Sequence, residues 1–218
     1  DTPADGAAGG VTETLVSSTV VTLAGSPASI NSYLDTTANL QYTPAADVSG
    51  TAAASLTVNA NDSYVTRALG TVNINITAVD DPTTLTGAPA SVTVLEDTPT
   101  AIDLSDLLFA DPDEDLLTVS FTIDAGSFSV PPAGSSVTAS RVSATEISLE
   151  GDADDINSYL DSSSLTFLTV ADSTGEDVAS LSITADDGSS STSLATIAID
   201  STDTADAPVL DASESPAL

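Results

Sequence analysis

The 218-residue chain has no cysteine, histidine, methionine or tryptophan, and its only basic side chains are Arg67 and Arg141. Each absence excludes a class of chemistry. Without cysteine there are no disulfides and no thiolate metal sites. Without histidine, cysteine and lysine, the usual general bases and nucleophiles are gone. Nucleic acid is excluded as a direct partner, because affinity for phosphate rests on clustered Lys and Arg. An anionic membrane surface is disfavoured for the same reason. No apolar run approaches the roughly 18 residues of a membrane span, so no direct membrane insertion is expected. Asp1 opens no signal peptide, and the chain reads as a mature protein or a fragment.

Aromatic residues are also scarce, with four Tyr and four Phe. A carboxylate pair can cleave glycosides at separations of about 5 to 10 Å. That chemistry also needs a raised pKa in an apolar cleft and aromatic platforms for the sugar. Most of the Tyr and Phe fall at core-facing positions of alternating segments, and no phosphate-cradling glycine loop is present. The sequence therefore reads as a protein without enzymatic activity.

What the chain has in excess is acid: 33 Asp and Glu give a formal net charge of −31 at pH 7. Few of these carboxylates can meet a basic partner, and a dense negative surface pushes the compact state apart. High salt or bound cations relieve that repulsion. The apolar set is Val, Ile, Leu and Ala, and the polar set is Ser, Thr and Asp. β-Branched residues among turn formers point to strands rather than to disorder. This composition suits a secreted bacterial protein from a saline habitat.

The chain repeats itself. Ile30-Asn-Ser-Tyr-Leu-Asp35 returns as Ile156-Asn-Ser-Tyr-Leu-Asp161. Upstream, Val11, Val21, Leu23 and Gly25 match Val137, Ile147, Leu149 and Gly151. Downstream, Leu40, Tyr42, Asp47, Gly50, Leu56 and Val58 match Leu165, Phe167, Asp172, Gly175, Leu181 and Ile183. Residues 82–207 form one complete copy, and residues 1–81 match only its later part. Residues 208–218 read as the start of a third copy or as a complementing strand. The first copy thus lacks the counterpart of 82–126. A sandwich without its first strands exposes an edge and a row of core positions, so something is expected to cover that edge.

Within the complete copy the period is two. Val92 and Val94, then Val119, Phe121 and Ile123, then Ile147 and Leu149 alternate with polar residues. Leu165 and Phe167, Leu181 and Ile183, and Ala195, Ile197 and Ile199 follow the same rule. Short alternating segments between Gly, Pro, Asp and Ser turns read as an antiparallel β-sandwich. Ile156, Tyr159 and Leu160 instead have helical spacing, which predicts a short helical turn plugging the sandwich, with Asp154 or Asp155 as its N-cap.

Acids crowd the turns. Asp111, Asp113 and Asp115 alternate ahead of an apolar run, as oxygen ligands for a hard cation such as calcium do. An EF-hand is ruled out, because Leu116 and Thr122 stand where its Gly and Glu belong. Loops after alternate strands gather at one end of a sandwich. The loop at 111–115, the loop at 186–188 and the linker at 80–81 are therefore expected to converge. Asp97 and Asp203 read more simply as solvated turn formers, and Asp47 and Asp172 as residues shaping the turns before Gly50 and Gly175.

The succession L-E-D at 95–97, A-D-P-D-E-D-L-L-T at 110–118, D-I-N-S-Y-L at 155–160, A-D-S-T-G-E at 171–176, I-T-A-D-D-G at 183–188 and D-A-P at 206–208 resembles the bacterial cadherin-like tandem repeats of large calcium-dependent (RTX-type) surface adhesins. The resemblance covers 82–207 fully and 11–81 partly. It implies an all-β fold of tandem Ig-like, cadherin-like antiparallel sandwiches, with Ca2+ held near the junctions. Carried over by position, the metal ligands are Asp80, Asp81, Glu96, Asp111, Asp113, Asp115, Asp186 and Asp187, with Asp203 and Asp206 serving the next junction. The first copy departs from the pattern, because Asn61-Asp62-Ser63 stands where the second has Asp186-Asp187-Gly188.

Three functions are compatible with this reading. One is an extender of an extracellular adhesin or surface filament, whose partners are neighbouring repeats or other copies. Another is a calcium-dependent module for a cell-surface glycan or protein partner, with Tyr64 the candidate exposed aromatic. A third is a filament subunit assembling by strand donation.

Overall fold

The computed structural model describes residues 6–162 and 165–206, so the expected third-copy segment at 208–218 lies outside the described residues. The fold is all-β, with several antiparallel sheets and, among the described residues, one helix in each of two compact units, Asp1–Val79 and Asp80–Leu218. The division assigns Asp80 and Asp81 to the second unit.

The first unit holds β1 (Gly6–Ala8), β2 (Val11–Ser17) and β3 (Val20–Gly25) in one antiparallel sheet. Helix α1 (Pro27–Leu34) follows, and then a long hairpin of β4 (Gly50–Asn61) and β5 (Thr66–Ile76). Ser26 caps α1 by accepting the Ser29 N–H at 3.1 Å, and proline follows it, where a missing N–H costs nothing. Glu13 on β2 is buried, and the Tyr33 hydroxyl donates to one of its carboxylate oxygens.

The second unit runs through β6 (Thr84–Thr86), β7 (Ser91–Leu95), β8 (Thr100–Ile102), β9 (Leu108–Ala110), β10 (Leu117–Ile123) and β11 (Ser127–Phe128). It continues with β12 (Thr138–Arg141), β13 (Glu146–Gly151), α2 (Ala153–Ser162), β14 (Leu165–Leu168), β15 (Gly175–Asp186) and β16 (Ser191–Thr202). Six strands form one sheet in the order β12-β13-β10-β15-β16-β7, and β11-β14-β8 form another. Both sheets feed one core: Val119, Phe121, Ile147, Leu181, Ile183 and Ile197 from the first meet Ile102, Phe128, Leu165 and Phe167 from the second. The alternation read from the sequence is the burial pattern seen, as in β10, where every second residue from Leu117 is buried.

Two expectations are corrected. The sandwich is not wholly antiparallel: β7 pairs with β16 in parallel, Ser91 opposite Ala198 through Leu95 opposite Thr202. Both strands run toward the same end of the unit, where the Glu96 N–H donates to the Thr202 carbonyl. Nor do Asp154 and Asp155 cap the helix. Helix α2 starts at Ala153 and both lie inside its first turn, where carboxylates favour the positive end of the helix dipole. Ile156, Tyr159 and Leu160 are its buried face, as their spacing predicts.

The repeat extends to backbone detail. Asp47 and Asp172 both adopt left-handed φ (59° and 56°), and so do Ala52 and Asp177 (56° and 53°). The Ala52 N–H donates to the Asn75 side chain, and the Asp177 N–H to Asp200, each at 2.9 Å. Asp62 and Asp187 close the same turn by accepting the N–H groups two and three residues on.

Candidate metal centres

The first centre lies at the end of the second unit where β10 begins and β15 ends. Residues 111–115 form the turn into β10, and the register pairs Thr118 with Asp186. Asp111 shapes this turn: one of its oxygens accepts the Asp113 N–H at 3.0 Å, and the other accepts the Thr83 hydroxyl at 2.9 Å. Glu114 takes left-handed φ (58°), which turns the chain back on itself. Asp113 in turn accepts the Asp81 N–H at 2.7 Å, which ties the entering segment to the loop.

Carboxylate oxygens of Asp80, Asp113 and Asp115 thereby lie within 4.8 Å of one another. Asp80 and Asp113 are exposed and Asp115 is half-buried. Burial, followed by the charges of Asp111, Asp80, Asp113 and Asp187, holds the Asp115 carboxyl above the ordinary carboxylate range. Asp187 is itself buried and behaves oppositely. The N–H groups of Ser190 and Ser189 keep its carboxyl low, so it stays charged and directs its field at Asp115. Asp186 accepts the Gly188 N–H at 2.9 Å, a turn-closing role.

A second trio, Asp97, Asp172 and Asp206, lies at the other end of β16, again with oxygens within 4.8 Å. Asp97 and Asp172 are both left-handed, and Thr169 holds Asp97 in place by accepting its N–H at 3.1 Å. Burial, then Asp172, Asp97 and Asp203, raise the Asp206 carboxyl. Glu96 stands beside this trio and is 2 % exposed. The Thr204 N–H, 2.8 Å from Glu96, favours its charged form, yet the neighbouring Asp203 and burial outweigh it and leave the carboxyl raised.

Of the residues singled out from the sequence, Asp80, Asp113 and Asp115 come together as one trio. Asp111 and Asp187 border it, and Asp81 reaches it through its backbone. Glu96 and Asp206 lie at the opposite end. Asp97 and Asp172, the turn formers expected from the sequence, also supply two of the three acids of the second trio. Their separation in sequence, 97 against 172, leaves no spacing signal. The donor set at both centres is oxygen alone, which suits hard cations, and either cluster could hold a metal ion.

No family model and no curated protein matches the chain. A solved structure, the endo-fucoidan hydrolase MfFcnA4 from glycoside hydrolase family 107, aligns at 16 % identity and a TM-score of 0.26. The alignment covers 74 % of this chain and 20 % of that one. A likeness at this level carries no argument about fold or activity. Among the described residues, no helix is long and apolar enough to cross a membrane.

Proposed function

We propose that the chain is a non-catalytic extender of an extracellular bacterial adhesin or surface filament, built of Ig-like, cadherin-like repeats and stiffened by calcium. The observation that carries this reading is the placement of the two acid trios at opposite ends of β16, one of them including Asp80 from the segment that leads into the repeat. Twelve extended residues put those ends roughly 40 Å apart. Two oxygens sharing one calcium at about 2.4 Å are at most about 4.8 Å apart, and each trio falls within that spread.

The raised carboxyls at Asp115 and Asp206 mark where like charges meet without a basic neighbour. A divalent ion removes that repulsion and fixes Asp80, hence the entering segment, to the loop at 111–115. Without the ion the Asp81 N–H bond to Asp113 remains to tie the segment to the loop, against the mutual repulsion of the trio. Small-angle scattering of a tandem array, with calcium and then with chelator, tests the reading. The maximum dimension should fall on chelation, and an unchanged value refutes it.

A second reading has one observation in its favour. Tyr64 is 96 % exposed at the tip of the β4–β5 hairpin, next to Asp62. An aromatic face beside a carboxylate is a sugar-binding arrangement, and a glycan array probed with calcium present separates a binding module from a spacer. A spacer binds nothing.

A further inference from the structure

The hairpin β4–β5 of the first unit is the counterpart of β15–β16 in the second, yet the two have very different surroundings. In the second unit, β10 flanks β15 and β7 flanks β16. In the first, among the described residues, β4 and β5 pair only with each other. Leu181, Ile197 and Phe167 are fully buried, whereas their counterparts Leu56, Val72 and Tyr42 are 41 %, 57 % and 54 % exposed. The segment matching β14, residues 40–43, forms no strand. Strand β14 pairs with β8, which has no counterpart among the described residues of the first unit.

Asn157 shows the same dependence in a single side chain. Its amide receives the Phe109 N–H at 2.8 Å and donates to the Phe109 carbonyl at 2.9 Å, so it pairs with β9 as a strand would. Its counterpart Asn31 is exposed, and the described residues of the first unit include no strand equivalent to β9. In the second unit residues 82–126 reach these elements: Ile123 pairs with Leu181, Thr100 with Phe167 and Phe109 with Asn157, and β7 runs along β16.

We infer that the open face of the first unit is a docking surface for a segment of the same sequence type as residues 82–126. The occupant is specified by the second unit, where the same interface exists complete. It presents an apolar strand equivalent to β10 along β4, a parallel strand equivalent to β7 along β5, and a β9-like strand to Asn31.

The test is the full chain with a second copy of residues 82–126 fused directly before Asp1, followed by hydrogen exchange with chelator present, so that the outcome does not depend on a cation. Exchange across β4 and β5 should slow by roughly tenfold or more relative to the unextended chain, and binding of an apolar dye should fall. A fused copy carrying Ser at the positions of Val94, Phe109, Val119 and Phe121 should restore both signals. Protection of β10 and β15 in the same molecules shows that the samples are folded. Unchanged exchange in β4 and β5, or equal protection by the Ser-substituted copy, overturns the inference. So does a dimer of the unextended chain in sedimentation with β4 and β5 protected, because the face would then belong to a second copy.

Discussion

Leu181 and Leu56 occupy the same position in the two copies, and replacing each by alanine should carry unequal costs. Leu181 is fully buried on β15, opposite Ile123 on one side and Ile197 on the other. An enclosed Leu→Ala change costs about 2–5 kcal/mol, because a cavity adds to the lost transfer energy. A loss near 3 kcal/mol lowers the melting temperature of a unit of this size by roughly 10 °C. Leu56 is 41 % exposed. Full burial of a leucine stabilises by about 1.5–3 kcal/mol, so the covered part of Leu56 contributes roughly 1–1.5 kcal/mol. Water enters the space left behind, and no closed cavity forms. Leu56→Ala should therefore cost about 1 kcal/mol. Urea titration read by hydrogen exchange on peptides from β4 and β15 reports each unit separately. Equal costs at the two positions would mean that Leu56 is enclosed in solution, and the contrast between the units would fail.

Further expectations concern the acid trios. Asp113→Asn and Asp172→Asn should each remove one calcium equivalent in a titration calorimeter, while the double variant removes both; a stoichiometry unchanged in all three refutes the assignment. Asp115→Asn should raise the melting temperature in chelator, because it removes a mutually repelling charge, and should abolish the gain on adding calcium. A solvated turn former would change neither. The pH dependence has a definite sign. The raised carboxyls of Asp115 and Asp206 favour the folded state at low pH, and that contribution is lost as pH rises through their folded values. Asp187, held low by its turn, acts oppositely, contributing above the ordinary carboxylate range and failing as pH falls through its folded value. In chelator, Asp115→Asn should thus flatten the decline of second-unit stability with rising pH, and calcium binding to the parent should weaken on acidification as protons compete for the trios. Tyr33→Phe should destabilise β2 and α1 selectively by stripping buried Glu13 of its hydroxyl donor, seen as faster exchange there.

The features legible in the sequence are those that local patterns record. Alternation along Leu117–Ile123 and Leu181–Ala185 marks which face is buried, and helical spacing at Ile156, Tyr159 and Leu160 marks the plug. The repeat exposed the missing counterpart of 82–126, and with it the open face around Leu56. The approach of Asp80 to the 111–115 loop followed from topology, since loops after alternate strands share an end. Long-range pairings left no such record. Nothing near Val92 or Val94 announces a parallel partner at Ile199. Asp97 and Asp172 each have a sufficient local reason to be acidic, as left-handed turn residues, and that reason hides the second one. Glu13 meets Tyr33 only because β2 and α1 pack together, and the second copy has Ala139 in its place.

The parallel ladder between β7 and β16 has a mechanical consequence. The chain enters the second unit ahead of β7 and leaves it after β16, so tension applied at the two ends drags these strands past each other lengthwise. Their five residue pairs, Ser91–Leu95 against Ala198–Thr202, then bear the load in shear, all at once. An antiparallel pairing at the same edge would let the bonds unzip one at a time under far less force.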